Sequence, residues 1–226
     1  MIAMPAGGVD TRRPLAAHGC MIELFFDLTS PWTWLAVHNL VPLAKRHRAE
    51  IVWRPILVGG LFNTVNPSVY ERRENPVPVK ERYGAKDIDD WARLAGLEIH
   101  FPPACGHPVN AVLAMRVALA MQARGKLESF AFAAFDALWA HERDLADAAV
   151  LAPLIAAQGE DPQAVFAEAQ SDRIKAQLRT NTDELIARGG FGSPTMFVDG
   201  NDMYFGNDRL PLVEAALIRK RSPQPA

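Results

Sequence analysis

Hydrophobic and polar positions alternate or cluster along the chain in a way that predicts its elements in order. Met21 to Leu28 is an apolar run of strand length, ended by Thr29-Ser30-Pro31. Ser30 suits an N-cap and Pro31 the first helical position, so a helix is expected from about Pro31 to Arg48. Leu35, Leu40, Leu43 and Ala44 supply its apolar face. A short β-branched strand follows at Ile51 to Ile56. Strand, helix and strand make a βαβ unit with a parallel pair. From Gly59 to Val79 the chain is rich in Asn, Pro and Gly, which predicts a long functional loop or a partly helical excursion. Helical spacing then dominates as far as Ala187, with candidate segments 86–96, 109–124, 127–141, 147–158, 162–169 and 172–188. Strand character returns at Thr195 to Val198. Asp199-Gly200-Asn201-Asp202 reads as a turn, Met203-Tyr204-Phe205 as the antiparallel partner, and a last helix begins near Asn207-Asp208 and runs to about Lys220.

The arrangement is α/β: a thioredoxin fold (βαβ…ββα) with an all-helical domain inserted in its middle. The expected organisation is a tail over 1–20, a thioredoxin-like domain formed by 21–58 and 189–222, and the helical insert over 59–188.

Bulk properties narrow the function. A formal net charge of −2, without a basic stripe, argues against a nucleic-acid partner. No run reaches ~18 uninterrupted apolar residues, so no membrane helix is expected. Two well-separated cysteines, Cys20 and Cys105, make neither a disulfide framework nor a zinc pattern. They fit a reducing cytosol, and a cytoplasmic location is expected. Arg12-Arg13 are not followed by an apolar core, so the first residues do not read as a secretory signal; His18 before Cys20 and the missing apolar run make a poor lipid-attachment site. His100, Cys105 and His107 share one Pro-Gly loop, but scattered candidates there are poor evidence for a metal, and none is expected. Met115 and Met121 are expected to fill the core or line an apolar pocket. Asp27, at a strand end, is expected to be buried and structural.

The chemistry gathers where the first strand meets the first helix. A hydroxyl at a helix start faces unpaired backbone N–H groups and the positive end of the helix dipole, a setting that favours an anion. Thioredoxin-fold disulfide oxidoreductases carry Cys-x-x-Cys at this place. Here it holds Ser30-Pro31-Trp32-Thr33, which removes disulfide exchange by the usual route. Ser193-Pro194 stands where the fold carries a cis-proline before its third strand.

The whole pattern resembles the 2-hydroxychromene-2-carboxylate isomerase family and its relative, the kappa-class glutathione transferases. The resemblance is carried by residues 25–36 (Phe-Phe-Asp-Leu-Thr-Ser-Pro-Trp-Thr-Trp-Leu-Ala), 53–63, Lys80 and Tyr83 with Asp87, Asp90 to Arg93, Asn110 to Arg116, 190–195 and 205–210, in family order. It implies a glutathione-dependent enzyme, commonly a homodimer, acting on a small aromatic or otherwise hydrophobic electrophile. Ser30 matches the serine that serves the glutathione thiol. Asn66 and Lys80 match residues that help hold the tripeptide. The backbone of Ser193, before Pro194, would pair with the glutathione backbone, and Asn207 and Asp208 would face its γ-glutamyl end. Each has a plainer reading from the residues alone: Ser30, Asn207 and Asp208 as helix caps, Lys80 as a solvated charge, Pro194 as the start of a strand. For Ser30 the two readings are compatible, since a capping hydroxyl can also donate to a thiolate. The expected reaction is reversible thiolate addition and elimination, an isomerisation that regenerates glutathione. The alternatives are a kappa-type transferase that conjugates or reduces peroxides, and a redox-inactive binding protein using the cis-proline edge. The insert, with Trp91 and the 101–108 loop, is expected to close an apolar pocket over the acceptor.

Overall fold

Four strands form one mixed sheet in the order β2-β1-β3-β4, in a computed structural model that describes residues 20–221. The expected tail lies outside the described residues up to position 19. Cys20 is already buried, and its carbonyl accepts the Glu50 N–H at 3.0 Å. The strands are β1 (Met21–Phe26), β2 (Glu50–Pro55), β3 (Thr195–Val198) and β4 (Asp202–Phe205). β1 pairs parallel with β2 and antiparallel with β3, and β4 closes a tight hairpin on β3. α1 (Pro31–Arg46) joins β1 to β2, and α10 (Leu210–Arg221) follows β4 after a single 3-10 turn at Asn207–Arg209.

Between β2 and β3 lie α2 (Val58–Val65), α3 (Ser68–Glu74), α4 (Pro78–Ala95), α5 (Val112–Ala123), α6 (Leu127–Trp139), α7 (Ala148–Ala157), α8 (Pro162–Ala169) and α9 (Asp172–Ala187). This is the thioredoxin fold with a helical insertion. The Asn/Pro/Gly-rich stretch resolves into the partly helical alternative. Asn66-Pro67 and Asn75-Pro76 punctuate two short helices, and Pro78 opens α4 eight residues ahead of the segment that spacing marks. Proline belongs at a first helical turn, where its missing N–H has no partner to lose. Among the described residues, no helix is long and apolar enough to cross a membrane.

Alternation along the strands gives the sheet two apolar faces. Ile22, Leu24, Phe26, Met196 and Val198 point into the main core, shared with α1, α10 and the insert helices α5 and α6. One continuous core therefore crosses from the thioredoxin part into the insert. Phe25 and Phe197 point the other way and pack with Ile56, Leu61 and Leu185, under α2 and α9. α9 also takes up the loose end of β2. The Asn181 amide donates to the Pro55 carbonyl at 2.9 Å, and Thr182 Oγ1 accepts the Leu57 N–H at 3.1 Å. The site that follows is thus framed by insert and sheet together.

Glu23 faces the same side as Phe25 and would be costly there alone. Arg188 and Arg54 reach it at 2.8 and 3.1 Å, and the Arg188 guanidinium lies 3.7 Å over the Phe197 ring. Burial alone would push the Glu23 carboxyl up; the hydrogen bonds and charges of the two arginines outweigh it and hold the group below its ordinary value. A depressed carboxyl contributes stability above its unfolded pKa of about 4.3, and that contribution is lost as pH falls through the lower folded value. Replacing Arg188 by Ala is expected to lower unfolding stability by about 2 kcal/mol in urea at neutral pH. The gap to wild type should narrow on acidification; a gap independent of pH would mean that pairing with Glu23 is not its source.

Candidate functional site

The turn from β1 into α1 is fixed by buried polar groups. Asp27 is fully buried, and its two carboxylate oxygens collect three donors: the Thr29 N–H at 2.9 Å, the Thr29 hydroxyl at 2.8 Å and the Val58 N–H at 2.9 Å. Burial pushes its carboxyl up, and these hydrogen bonds pull part of the way back. Val58 is the first residue of α2, whose N-terminus has no side-chain cap of its own. Asp27 thus ties the turn to the insert. The Leu28 N–H points at the Met115 sulfur at 3.4 Å, and the Leu28 carbonyl accepts the Trp139 indole N–H at 3.3 Å.

Ser30, half-buried at the turn's end, caps α1. Its Oγ accepts the Thr33 N–H at 3.2 Å, with Pro31 at the first helical position behind it. The same Oγ donates to the Ser193 carbonyl at 3.2 Å. Ser193 is itself anchored: its Oγ accepts the Asp27 N–H at 2.9 Å and lies 2.8 Å from Thr33 Oγ1. The peptide between Ser193 and Pro194 is cis, as expected from the sequence. Ser30, Thr33 and Ser193 thus bring three hydroxyls together where the redox pair and the cis-proline meet in related folds. Thr33, in the seat of a second cysteine, is a participant that sequence reasoning passed over. Asp27 is buried and structural, as its place at the strand end implies, and its carboxylate organises the turn.

The other predicted residues surround this centre. The Gly206 N–H donates to the Pro194 carbonyl at 3.1 Å, and Gly206 has a φ of 98°, a conformation that favours glycine. A side chain there would also run into its neighbour, since a Cβ on Gly206 would stand 2.8 Å from Asp208 Oδ1. Asn207 and Asp208 are thereby held beside Pro194. Asn207 is 4% exposed. Asp208 is exposed and ion-paired with its neighbour Arg209. Neither supplies a side-chain hydrogen bond to cap the following turn, so the capping alternative loses its support.

Asn66 uses both ends of its amide within the protein. Its Nδ2 donates to the Phe191 carbonyl at 3.1 Å, two residues before Ser193, and its Oδ1 accepts the Ser68 hydroxyl at 2.8 Å. Ser68 lines an open cavity of about 300 Å³ together with Arg72 and Lys80. Lys80 is exposed on the first turn of α4. Ser30 bonds to Ser193, and two residues back along the chain Phe191 is bonded through Asn66 to Ser68, which lines the cavity that holds Lys80.

On the insert side, Phe101 and His107 pack against each other with ring centres 5.1 Å apart, and lie 6.1 and 6.4 Å from the Trp139 ring. Through the Trp139 indole this loop is tied to Leu28, two residues from Ser30. Burial, and then the charge of Arg73, hold the His107 imidazole below its ordinary value, so it stays neutral at physiological pH. Trp91 packs on the main core, and Met115 is fully buried.

Residues 21–218 match the model of the DSBA-like thioredoxin domain. The chain belongs to this family. Within the DSBA-like proteins it is similar to 2-hydroxychromene-2-carboxylate isomerase from Sphingobium xenophagum, 29% identical over 205 residues that cover 87% of this chain and 97% of that one. It is 26% identical to glutathione S-transferase kappa 2 of Caenorhabditis elegans, over 85% of this chain and 89% of the relative. A solved structure of 2-hydroxychromene-2-carboxylate isomerase superposes with a TM-score of 0.75 at 25% identity, covering 88% and 95% of the two chains. A probable DsbA oxidoreductase from Streptomyces coelicolor, at 17% identity and a TM-score of 0.69 over 92% and 93%, shares the fold alone.

Proposed function

We propose that this DSBA-like protein is a glutathione-dependent isomerase that acts on a conjugated, aromatic or chromene-type carboxylate, with Ser30 stabilising the glutathione thiolate. The observation that carries the reading is the Ser30 hydroxyl itself, placed between the start of α1 and the Ser193 carbonyl, where sulfur would make the site a redox centre. The identities of the isomerase and kappa relatives support it.

The residues present fit the tripeptide. The Ser193 N–H makes no hydrogen bond among the described residues, and beside its carbonyl it offers an edge that an extended peptide can pair with. Asp208 supplies a carboxylate, and Asn207 an amide, for an α-ammonium and α-carboxylate on one side of Pro194. Lys80 supplies a point charge for a carboxylate on the other. Asn66 acts by holding Phe191, and with it the approach to Ser193. When bound, glutathione supplies a thiolate that adds reversibly to a conjugated carbon and is returned on elimination. Ser30 donates to the sulfur, the N–H groups and dipole at the start of α1 favour its negative charge, and the Phe101, His107 and Trp139 side offers an apolar wall that limits water.

Replacing Asp208 by Ala is expected to weaken glutathione binding about tenfold by calorimetry, the value of one charge-assisted contact. Unchanged affinity would remove Asp208 from the γ-glutamyl site. The kappa relatives favour a second reading, conjugation or peroxide reduction on the same site. Product analysis with a chromene carboxylate and with a halogenated aromatic decides between them. The isomerase reading requires rearranged product with glutathione undiminished, and stoichiometric loss of glutathione into a conjugate would contradict it.

A further inference from the structure

Ser30 has one hydroxyl proton, and the acceptor within its reach is the Ser193 carbonyl. The Oγ accepts the Thr33 N–H, and it donates its own proton to the Ser193 carbonyl, both at 3.2 Å. A serine hydroxyl is a single donor. While it serves Ser193 it does not serve a sulfur. Thr33, fully buried one helical turn along, bonds to both residues that make this contact, to Ser30 at its Oγ and to Ser193 through its side chain. Its N–H goes to Ser30 Oγ and its hydroxyl lies 2.8 Å from Ser193 Oγ, which also accepts the Asp27 N–H.

We propose that Thr33 and Ser193 are positioning residues that keep the Ser30 hydroxyl on the Ser193 carbonyl until an extended peptide occupies that carbonyl, whereupon the hydroxyl turns to the ligand's sulfur. This rests on the glutathione reading above. The exchange balances in hydrogen bonds. The Ser193 carbonyl gives up the Ser30 hydroxyl and takes a peptide N–H. Ser30 gives up a neutral acceptor at a distance beyond the usual hydroxyl range and gains an anionic one, a bond about twice as strong. No bond between heavy atoms forms or breaks. The thiol proton leaves to solvent, and Ser30 keeps its own. Peptide binding and thiolate formation are thereby coupled: a ligand that fails to cap the Ser193 carbonyl leaves Ser30 turned away.

The test uses Thr33→Val, Thr33→Ser and two ligands besides glutathione. S-methylglutathione, which has no thiol, reports peptide binding by calorimetry. An ester analogue, with oxygen in place of the cysteinyl N–H, reports whether that N–H is the trigger. Thiolate absorbance gives the pKa of the bound thiol. Thr33→Val is expected to hold S-methylglutathione within about twofold of wild type. On the wild-type protein the thiol of the bound ester analogue should titrate about one unit above that of bound glutathione, a roughly tenfold loss of thiolate below that pKa, and this result needs no substitution to fold. Thr33→Val, which loosens the hold on Ser30, should bring the ester analogue down towards the glutathione value, and Thr33→Ser should restore the wild-type gap. An ester analogue that titrates like glutathione on wild type, a gap of wild-type size in Thr33→Val, or a roughly tenfold loss of S-methylglutathione affinity in Thr33→Val would each overturn the proposal. Absence of any glutathione binding by wild type would instead remove the functional reading, and this inference with it.

Discussion

Replacing Ser30 by Ala is expected to lower turnover about 100-fold, the cost of one donor aimed at developing or resident negative charge. Glutathione affinity should change little, because the alanine leaves the Ser193 edge, Asn207, Asp208 and Lys80 in place. The loss should therefore appear in kcat with a nearly constant glutathione dissociation constant. Alanine also removes the cap on α1, which accounts for about 1 kcal/mol of stability. That cost is separable by urea unfolding and is too small to unfold the protein. Turnover at the wild-type level would reduce Ser30 to a helix cap. A protein that folds normally but binds no glutathione would make it a binding residue instead.

The second large effect is expected at Asp27, and it falls on stability. Asp27→Ala would leave the Thr29 N–H, the Thr29 hydroxyl and the Val58 N–H facing a buried space without their acceptor. Unsatisfied buried donors cost about 1–3 kcal/mol each, and the Thr29 hydroxyl can turn elsewhere, so a loss of about 3 kcal/mol is expected in urea unfolding. Because burial raises the Asp27 carboxyl, its contribution is fully present below the unfolded pKa of about 3.9 and declines as pH rises through the folded value. Asp27→Asn, which carries no charge at any pH, should therefore gain on wild type as pH rises from about 4. A gap between Asn and wild type that is flat across that range would mean that Asp27 titrates in the fold as it does in the unfolded chain.

Much of this was legible in the sequence, and for identifiable reasons. The strand–helix junction announces itself because Ser30-Pro31 is a strong local start signal after an apolar strand. The six predicted helical segments are found because apolar spacing of three and four is a local signal, and Asp147, Asp161 and Ser171 cap three of them within three residues of themselves. Residues 59–79 hid their helices because local composition opposes them. Gly59-Gly60 and the asparagines weaken helix propensity, and α2 forms because Leu61 is buried under Leu185 and the Asp27 carboxylate meets the Val58 N–H. Those partners are distant in sequence. The same limit hid the work of Asn66, whose amide reaches Phe191 across 125 positions, and of Thr33, whose hydroxyl meets Ser193 across 160. Thr33 did leave a signal. It stands where a redox pair would keep its second sulfur, and a buried hydroxyl at that seat needs a partner.

The proposed function requires this junction to bind a thiolate at the place where thioredoxin-fold disulfide oxidoreductases carry one. The direct measurement is a pH titration of thiolate absorbance for glutathione saturating the wild-type protein, set beside free glutathione. The account predicts saturable binding and a bound thiol pKa at least about one unit below that of the free tripeptide. No saturable binding, or a bound thiol that titrates like the free one, would contradict it.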